Sequence, residues 1–383
     1  MTLRQQVSQQ VYQTGARLLE VGLWAYSRTC PAQAQVPERP RSILVLRNND
    51  LGDVLVITPL FAALRQRFPE AEIVAGVGSW SVPILQGNPH LSGAIALQAP
   101  WFNKFVYPQG WGDRWRYLQR SPEVAALAAR PFDIGIDVLG STWGALLLLR
   151  AGIPYRLGVR GFAGGAVAMQ ATLPFDPQQR VSRAALGFAQ LLGATALPPC
   201  RPQLFLTAAE EREGRCLWTG AGSRWAIAPG SGPDPRYWGE ANYRQLVAQL
   251  VALAPRLDLV ILGGPQDAAI GAQLAALGSS VRNLAGQLSL RQTFGVLAAA
   301  DLVLTNSSMV LHAAAAFATP TVALLGPGFT SRRLHDCQWG YDEAYTSLGR
   351  EPGERDRPYT APEVIAYLQA QGWLGRAHED RRP

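Results

Sequence analysis

Lysine is nearly missing from this 383-residue sequence: Lys104 stands alone, and the remaining fixed cations are all arginine. Amine chemistry is thereby almost excluded, while the planar fork that grips phosphate or carboxylate is available throughout. Cysteine is scarce too. Cys30, Cys200, Cys216 and Cys337 lie far apart with no metal-ligand spacing, which fits a reducing compartment and argues against a disulfide framework. No apolar run approaches the roughly 18–20 residues of a bilayer-spanning helix, and no signal-peptide core opens the chain. A cytoplasmic protein is expected, with room for peripheral contact at the inner face of the plasma membrane. No G-x-x-x-x-G-K-[ST], no G-x-G-x-x-G at the first turn and no Asp-x-Asp triplet occur, so the usual phosphate, dinucleotide and metal–diphosphate devices are absent. Nor does any Ser-His-acid pattern or G-x-S-x-G elbow stand out.

What remains is an apolar, globular chain: 48% hydrophobic and 16% charged, with a net charge of +7. Its length suits two domains. The arginines are scattered, not interleaved with aromatics, so anionic small molecules and anionic membrane surface rank above nucleic acid. Residues 1–30 place Leu3, Val7, Val11, Leu18 and Val21 at helical steps, an amphipathic helix that docks on its own domain or on a second subunit, or lies on an anionic membrane surface. Residues 31–40 read as a linker.

From Ser42 the pattern is α/β. Ile43–Leu46 is a strand, followed by a turn at 48–53 and one helix ending near Phe68; strands at 72–77 and 134–138 follow. Trp101–Trp115 lacks periodicity and reads as a loop or lid. Periodicity weakens again over 192–222, where the domains should join. A second series begins with strand 225–228 and continues with strands at 257–262, 281–284, 302–305 and 321–325. Strands alternating with helices imply doubly wound parallel sheets, giving boundaries of 1–40, 41–200, 201–360 and 361–383. The last segment holds a helix at 361–371 with the option of packing back on the first domain.

Turns at the carboxyl ends of parallel strands are where such sheets bind ligands. The first runs from Arg47 through Asn49 and Gly52 to Asp53, whose carboxylate could cap the following helix or act as a general base. The second, 229–238, exposes amides at Gly230, Ser231 and Gly232 and carries Arg236. A third, at Gly263–Asp267, offers Asp267 to ribose hydroxyls. The fourth, Asn306-Ser307-Ser308, opens an Ala-rich helix on which His312 follows Ser308 by four residues, an arrangement that favours an anion.

Five blocks in order resemble the ADP-heptose:lipopolysaccharide heptosyltransferases of glycosyltransferase family 9. They are ILVLRNNDLGDVLVITPLFAALRQRFP, FDIGIDVLGSTWGALLLLRAGIPYRLGV, PGSGPDPRYWGEANYRQL, LGGPQD and NLAGQLSLRQTFGVLAAADLVLTNSSMVLHAAAAFATPTVALLGP. The resemblance implies a GT-B fold: two Rossmann-like, doubly wound domains facing across a cleft, with 41–200 taking the acceptor and 201–360 the nucleotide sugar. It implies Asp53 as the base, with Arg47, Asn49 and Gly52 on the acceptor side. Donor and diphosphate would meet Gly230, Ser231, Gly232, Arg236, Asp267, Asn306, Ser307, Ser308 and His312. Two departures stand out: Arg236 replaces the family's usual Lys, and Ser307 replaces an acid in the usual Asp-[ST]-Gly-Pro-x-His turn.

The expected function is inverting, metal-independent transfer of heptose or a similar sugar from a nucleoside-diphosphate sugar, ADP-sugar favoured, to a cell-envelope glycan or glycolipid. No cofactor is expected. A catalytically silent nucleotide-sugar or glycan-binding module is the principal alternative, and a GT-B nucleotide-sugar epimerase a lesser one.

Overall fold

The computed structural model describes residues 19–230, 236–354 and 359–374. Most of the helix expected over 1–30 lies outside the described residues; within its remaining turns Leu23 is buried against Ala145, Leu149 and Ala168. The chain divides into two compact units. One takes in the described residues up to Pro177 together with Val181–Cys200, the other Gln178–Arg180 and the described residues from Arg201 onward.

The first unit is built on β1 (Ser42–Arg47), β2 (Glu72–Val77), β3 (Gly93–Ala96), β4 (Ile134–Asp137), β5 (Tyr155–Arg160) and β6 (Ala171–Pro174). Their order is β3-β2-β1-β4-β5-β6, and every pairing is parallel. The second unit has β7 (Arg224–Ala228), β8 (Asp258–Ile261), β9 (Val281–Asn283), β10 (Leu302–Thr305), β11 (Thr321–Leu324) and β12 (Tyr345–Leu348). Read from its β9 edge, that sheet runs β9-β8-β7-β10-β11-β12, the same topology as the first and again parallel throughout. In each sheet the order reverses once, between β1 and β4 and between β7 and β10. A crevice opens outside the strand carboxyl ends at such a reversal.

The central strands are continuous apolar runs because helices cover both faces; β7 through Trp225 and Ile227 and β10 through Leu302 and Leu304 are fully buried. Four strands escape the apolar signal. β3 is largely exposed and β6 half-buried at opposite edges of the first sheet, β12 is a half-polar edge strand, and β5 carries Arg156 among its apolar residues. Arg156 is buried, with its guanidinium donating to the carbonyls of Pro31, Ile153 and Ala168, and so fastens the 31–40 segment to the sheet.

Other expectations need correction. The single helix after β1 is two, Leu51–Val56 and Thr58–Arg67, because Pro59 lacks the N–H that would continue the ladder. The stretch at 101–115 is not all loop. Gly110 caps a helix from Trp111 to Arg120 that buries only Leu118 and leaves Trp111 and Trp115 exposed, which hides the helical period. The weakly patterned region at 192–222 contains a helix, Ala208–Cys216, capped by Thr207 and Glu210. It lies so close to helix Leu290–Ala298 that a Cβ on Gly214 would fall 2.2 Å from the Gly295 carbonyl carbon. The last helix, Ala361–Ala370, spends Ala361, Val364, Ile365 and Leu368 in the second unit's own core, beside Trp225, Tyr243 and Leu250.

Candidate active site

Each unit offers one crevice, and each is built differently. In the first, β1 ends at Arg47, which is buried and donates from Nη2 to Asp53 Oδ1 at 2.7 Å. Asp53 is the third residue of the short helix, and its Oδ2 accepts the backbone N–H of Asp50 at 3.2 Å, closing a capping box. Of the two readings of Asp53, the helix cap is present in this geometry. The carboxylate caps the helix, yet its side chain stays 27% exposed while Arg47 holds it from behind.

The neighbouring turn, after β4, brings a second acid that sequence reasoning overlooked. Asp137 is buried at the register position opposite Leu46 and accepts backbone N–H groups from Leu139 and Ser141. Burial pushes its pKa up to about 6, against those hydrogen bonds and the charge of Arg47, which oppose the rise. A Cβ on Gly144 would fall 2.1 Å from Asp137 Oδ2, so only glycine admits the carboxyl there. Its signal was present in the sequence: an acid ending a strand, followed by a small-residue turn.

Asn49 is also spent on architecture. Its Nδ2 donates to the Phe102 carbonyl at 2.8 Å, and its own carbonyl accepts Trp80 Nε1–H at 2.9 Å. The Lys104 N–H donates to Asp50 Oδ1, and the Lys104 amine lies 3.4 Å from Asp50 Oδ2. These contacts pin the aromatic loop to the first turn. Gly52 sits inside the first turn of the helix.

In the second unit the turns after β7, β8, β10 and β11 converge. Ser231 and Gly232 lie outside the described residues. Gly230 presses against Asp267, with room for no side chain: a Cβ there would meet Asp267 Oδ1 at 2.1 Å. Asp267 accepts the Gly264 N–H at 2.9 Å, and burial raises its pKa. Asn306 is buried and joins two turns. Its Nδ2 donates to the Pro229 carbonyl at 2.6 Å, while its Oδ1 accepts Tyr243 O–H at 2.9 Å and Trp238 N–H at 3.3 Å. The exposed Arg236 lies with its guanidinium 5.9 Å from the Phe329 ring centre, and its carbonyl accepts the Gly326 N–H after β11.

Ser308 caps helix Met309–Ala316, accepting the Val310 N–H, and lies 3.3 Å from Thr305 Oγ1. His312 is buried one turn further on, its Nδ1 2.7 Å from Tyr341 Oη. Ser307 faces a group that its sequence position conceals. Ser307 Oγ lies 2.8 Å from His335 Nε2, and His335 Nδ1 lies 3.2 Å from Asp336 Oδ1. A Ser-His-acid constellation thus exists where none stood out in the sequence, because Ser307 and His335 are 28 residues apart. Among the described residues, no group of three or more His, Cys, Asp or Glu side chains could hold a metal ion.

The sequence profile of glycosyltransferase family 9 (heptosyltransferase) matches residues 124–335, more than half of the chain. The chain belongs to that family. It is a glycosyltransferase, and its two six-stranded parallel sheets are the Rossmann-like halves of the GT-B fold. The lipopolysaccharide heptosyltransferase 2 of Escherichia coli K12 is 29% identical over 304 residues, which cover 74% of this family member and 82% of that relative. The solved E. coli ADP-heptose LPS heptosyltransferase II superposes with a TM-score of 0.67 at 24% identity, covering 86% of this chain and 98% of that one. The E. coli heptosyltransferase WaaC, solved with ADP-2-deoxy-2-fluoro heptose, gives a TM-score of 0.66 at 19% identity, covering 86% and 99%. Among the described residues, no helix of this glycosyltransferase is long and apolar enough to cross a membrane.

Proposed function

We propose that this glycosyltransferase moves heptose or a closely similar sugar from an ADP-sugar to a lipopolysaccharide-type acceptor, with inversion at the anomeric carbon and without a metal ion. One observation carries the reading. The family match falls on a chain whose first crevice presents a part-exposed carboxylate, Asp53, held by a buried Arg47. An inverting displacement needs one base. Asp53 takes the proton of an acceptor hydroxyl, that oxygen bonds the anomeric carbon, and the sugar–diphosphate bond breaks to release ADP. Arg47 steadies the carboxylate, and Asn49 and Gly52 shape the acceptor side of the same turn.

In the second unit the leaving diphosphate needs positive charge and amides. Arg236, the amides of Gly230, Ser231 and Gly232, and the helix start at Ser308 supply them, with His312 behind. Asp267 is the candidate partner of ribose hydroxyls, and Asn306 holds the second and fourth turns in place. The adenine nucleotide is supported by the ADP-heptose and ADP named for the E. coli relatives. The acceptor is supported by the name of the K12 relative. The 41–200 and 201–360 halves are accordingly the acceptor and donor domains.

The test is Asp53→Asn with ADP-heptose and a heptose-deficient lipopolysaccharide acceptor. Turnover should fall by roughly a hundredfold or more while ADP affinity holds. Near-normal turnover would sink the base assignment. Nuclear magnetic resonance of the product linkage reads inversion directly, and retained activity after exhaustive chelation reads metal independence. A wild-type protein that binds ADP-heptose yet transfers nothing would favour the silent binding module.

A further inference from the structure

The aromatic segment beside the first crevice is built inside out, with its polar groups turned inward. Asn103 is buried. Its Nδ2 donates to the carbonyls of Ala99 and Trp101, and its Oδ1 accepts the N–H groups of Phe105 and Val106. Gln109 Nε2 donates to the carbonyls of Asn103 and Val106. These bonds hold the loop's backbone, and its large side chains are left outside. Phe102, Phe105 and Tyr107, with Trp111 and Trp115 on the following helix, are 45–71% exposed. Phe102 even takes a φ of +56°, a costly conformation for a bulky residue, with its carbonyl bonded to Asn49 Nδ2. The rings are joined to one another. The Arg114 guanidinium lies 5.9 Å from the Phe102 ring centre and 5.5 Å from that of Trp143, and Trp111 meets Trp143 edge-on at 5.1 Å. Phe105 stacks on Trp80 at 4.5 Å.

Single exposed apolar side chains are ordinary, but a contiguous group of rings held out by a prearranged loop marks an interaction surface. Its charge says which partner. Residues 101–120 carry Lys104, Arg114, Arg116 and Arg120 against Asp113 alone. Rings with a polar edge settle at the headgroup level of a bilayer, and cations around them meet anionic lipid phosphates. We propose that residues 102–120 form a docking surface for an anionic phospholipid bilayer, entered by the rings and held by the cations. The proposal goes beyond the glycosyl-transfer reading and does not depend on it. It has a geometric consequence. The Asn49–Phe102 and Asp50–Lys104 bonds tie this surface to the turn that carries Asp53, so docking holds the first crevice at the lipid boundary.

The test is flotation of the full chain with vesicles of phosphatidylcholine, with and without phosphatidylglycerol. The protein should float with the mixed vesicles, stay behind with the neutral ones, and be released by high salt. Trp111→Ser with Trp115→Ser should lower the partition coefficient about tenfold or more. Arg116→Gln with Arg120→Gln should lower it about fivefold or more, since each cation acts within a screening length of the surface. Thermal unfolding of each double variant separates lost docking from lost fold, and both should turn over a detergent-dispersed acceptor at the wild-type rate. Equal flotation on neutral vesicles, or none on the mixed ones, would overturn the proposal. Folded double variants that float like wild type would overturn it too, by moving the lipid contact elsewhere in the chain. Flotation only after lipopolysaccharide is added, with lost turnover in the tryptophan variant, would overturn it by giving the rings to the acceptor. A wild-type protein that floats as expected yet transfers nothing would uphold the docking surface and defeat the transfer reading alone.

Discussion

The two units share one strand order but spend polarity at the reversal in opposite ways. The first crevice is ionic. Arg47 is buried, touches Asp53, and by its charge favours the ionised carboxylate of Asp137. The second is assembled mostly from neutral groups at the equivalent place. Asn306 bridges turns where Asp137 anchors one, and the Ser307 hydroxyl lies 2.8 Å from an imidazole nitrogen, His335 Nε2. An ionic crevice suits proton removal from an acceptor. A crevice of amides, hydroxyls, a buried Asp267 and an exposed arginine suits a ligand that brings its own charge. Topology fixes where a site forms, and the residues at the strand ends decide its chemistry.

That contrast can be broken experimentally. Arg47→Ala should be the most damaging change, costing about 3 kcal/mol or more in urea unfolding, because it strands a capping carboxylate and removes the charge that restrains Asp137. A loss below about 1 kcal/mol would mean the first crevice does not depend on its ion pair. Second in size is a pH effect. Asp137 has a folded pKa raised to about 6 from an ordinary 3.8, so its stabilising contribution is complete below about pH 4 and is lost as pH rises through 6. The loss is at most about 3 kcal/mol, and Asp137→Asn should flatten it. The second unit slopes the other way. The hydrogen bond from Arg291 holds Glu210 down to about 2, so that contribution is present above pH 4.5 and fades on acidification toward 2. Unfolding curves that fall in the same direction over both windows would erase the distinction.

Asn306→Ala should cost about 2 kcal/mol, the scale of leaving Tyr243 Oη and the Pro229 carbonyl without a partner. It should also weaken ADP, because the second and fourth turns would no longer be tied. Unchanged ADP affinity would separate the clamp from the site. The smallest effect compares the two corresponding helix caps. Ser141 accepts the Gly144 N–H at 2.9 Å, whereas Ser308 accepts the Val310 N–H at 3.3 Å. Ser141→Ala should cost about 1 kcal/mol and Ser308→Ala less, with ADP binding affected only by the latter.

The strands that were legible in the sequence are those buried on both faces, such as β1, β7 and β10, where covering helices force an unbroken apolar run. β3, β6 and β12 were not, since an edge strand need not be apolar, and Arg156 masked β5. Pro59 warned of a helix break that a smooth apolar pattern overrode. For the site, the turns themselves could be read, because polar and glycine residues follow each central strand. Their internal wiring could not. Asp53 gave no sign that Arg47 would reach it, and nothing local joins Ser307 to His335. Such pairs are made by the sheet order, which a linear pattern does not contain.

Lys104 gains a practical meaning from its setting. Its amine is 69% exposed and stands beside Asp50 in the turn that carries Asp53. As the only lysine, it is the only side-chain amine in this 383-residue sequence. Apart from the chain's own amino terminus, an amine-reactive dye therefore has one address, and that address adjoins the candidate base. A single label would place an optical probe beside the turn that carries Asp53 without any engineered cysteine.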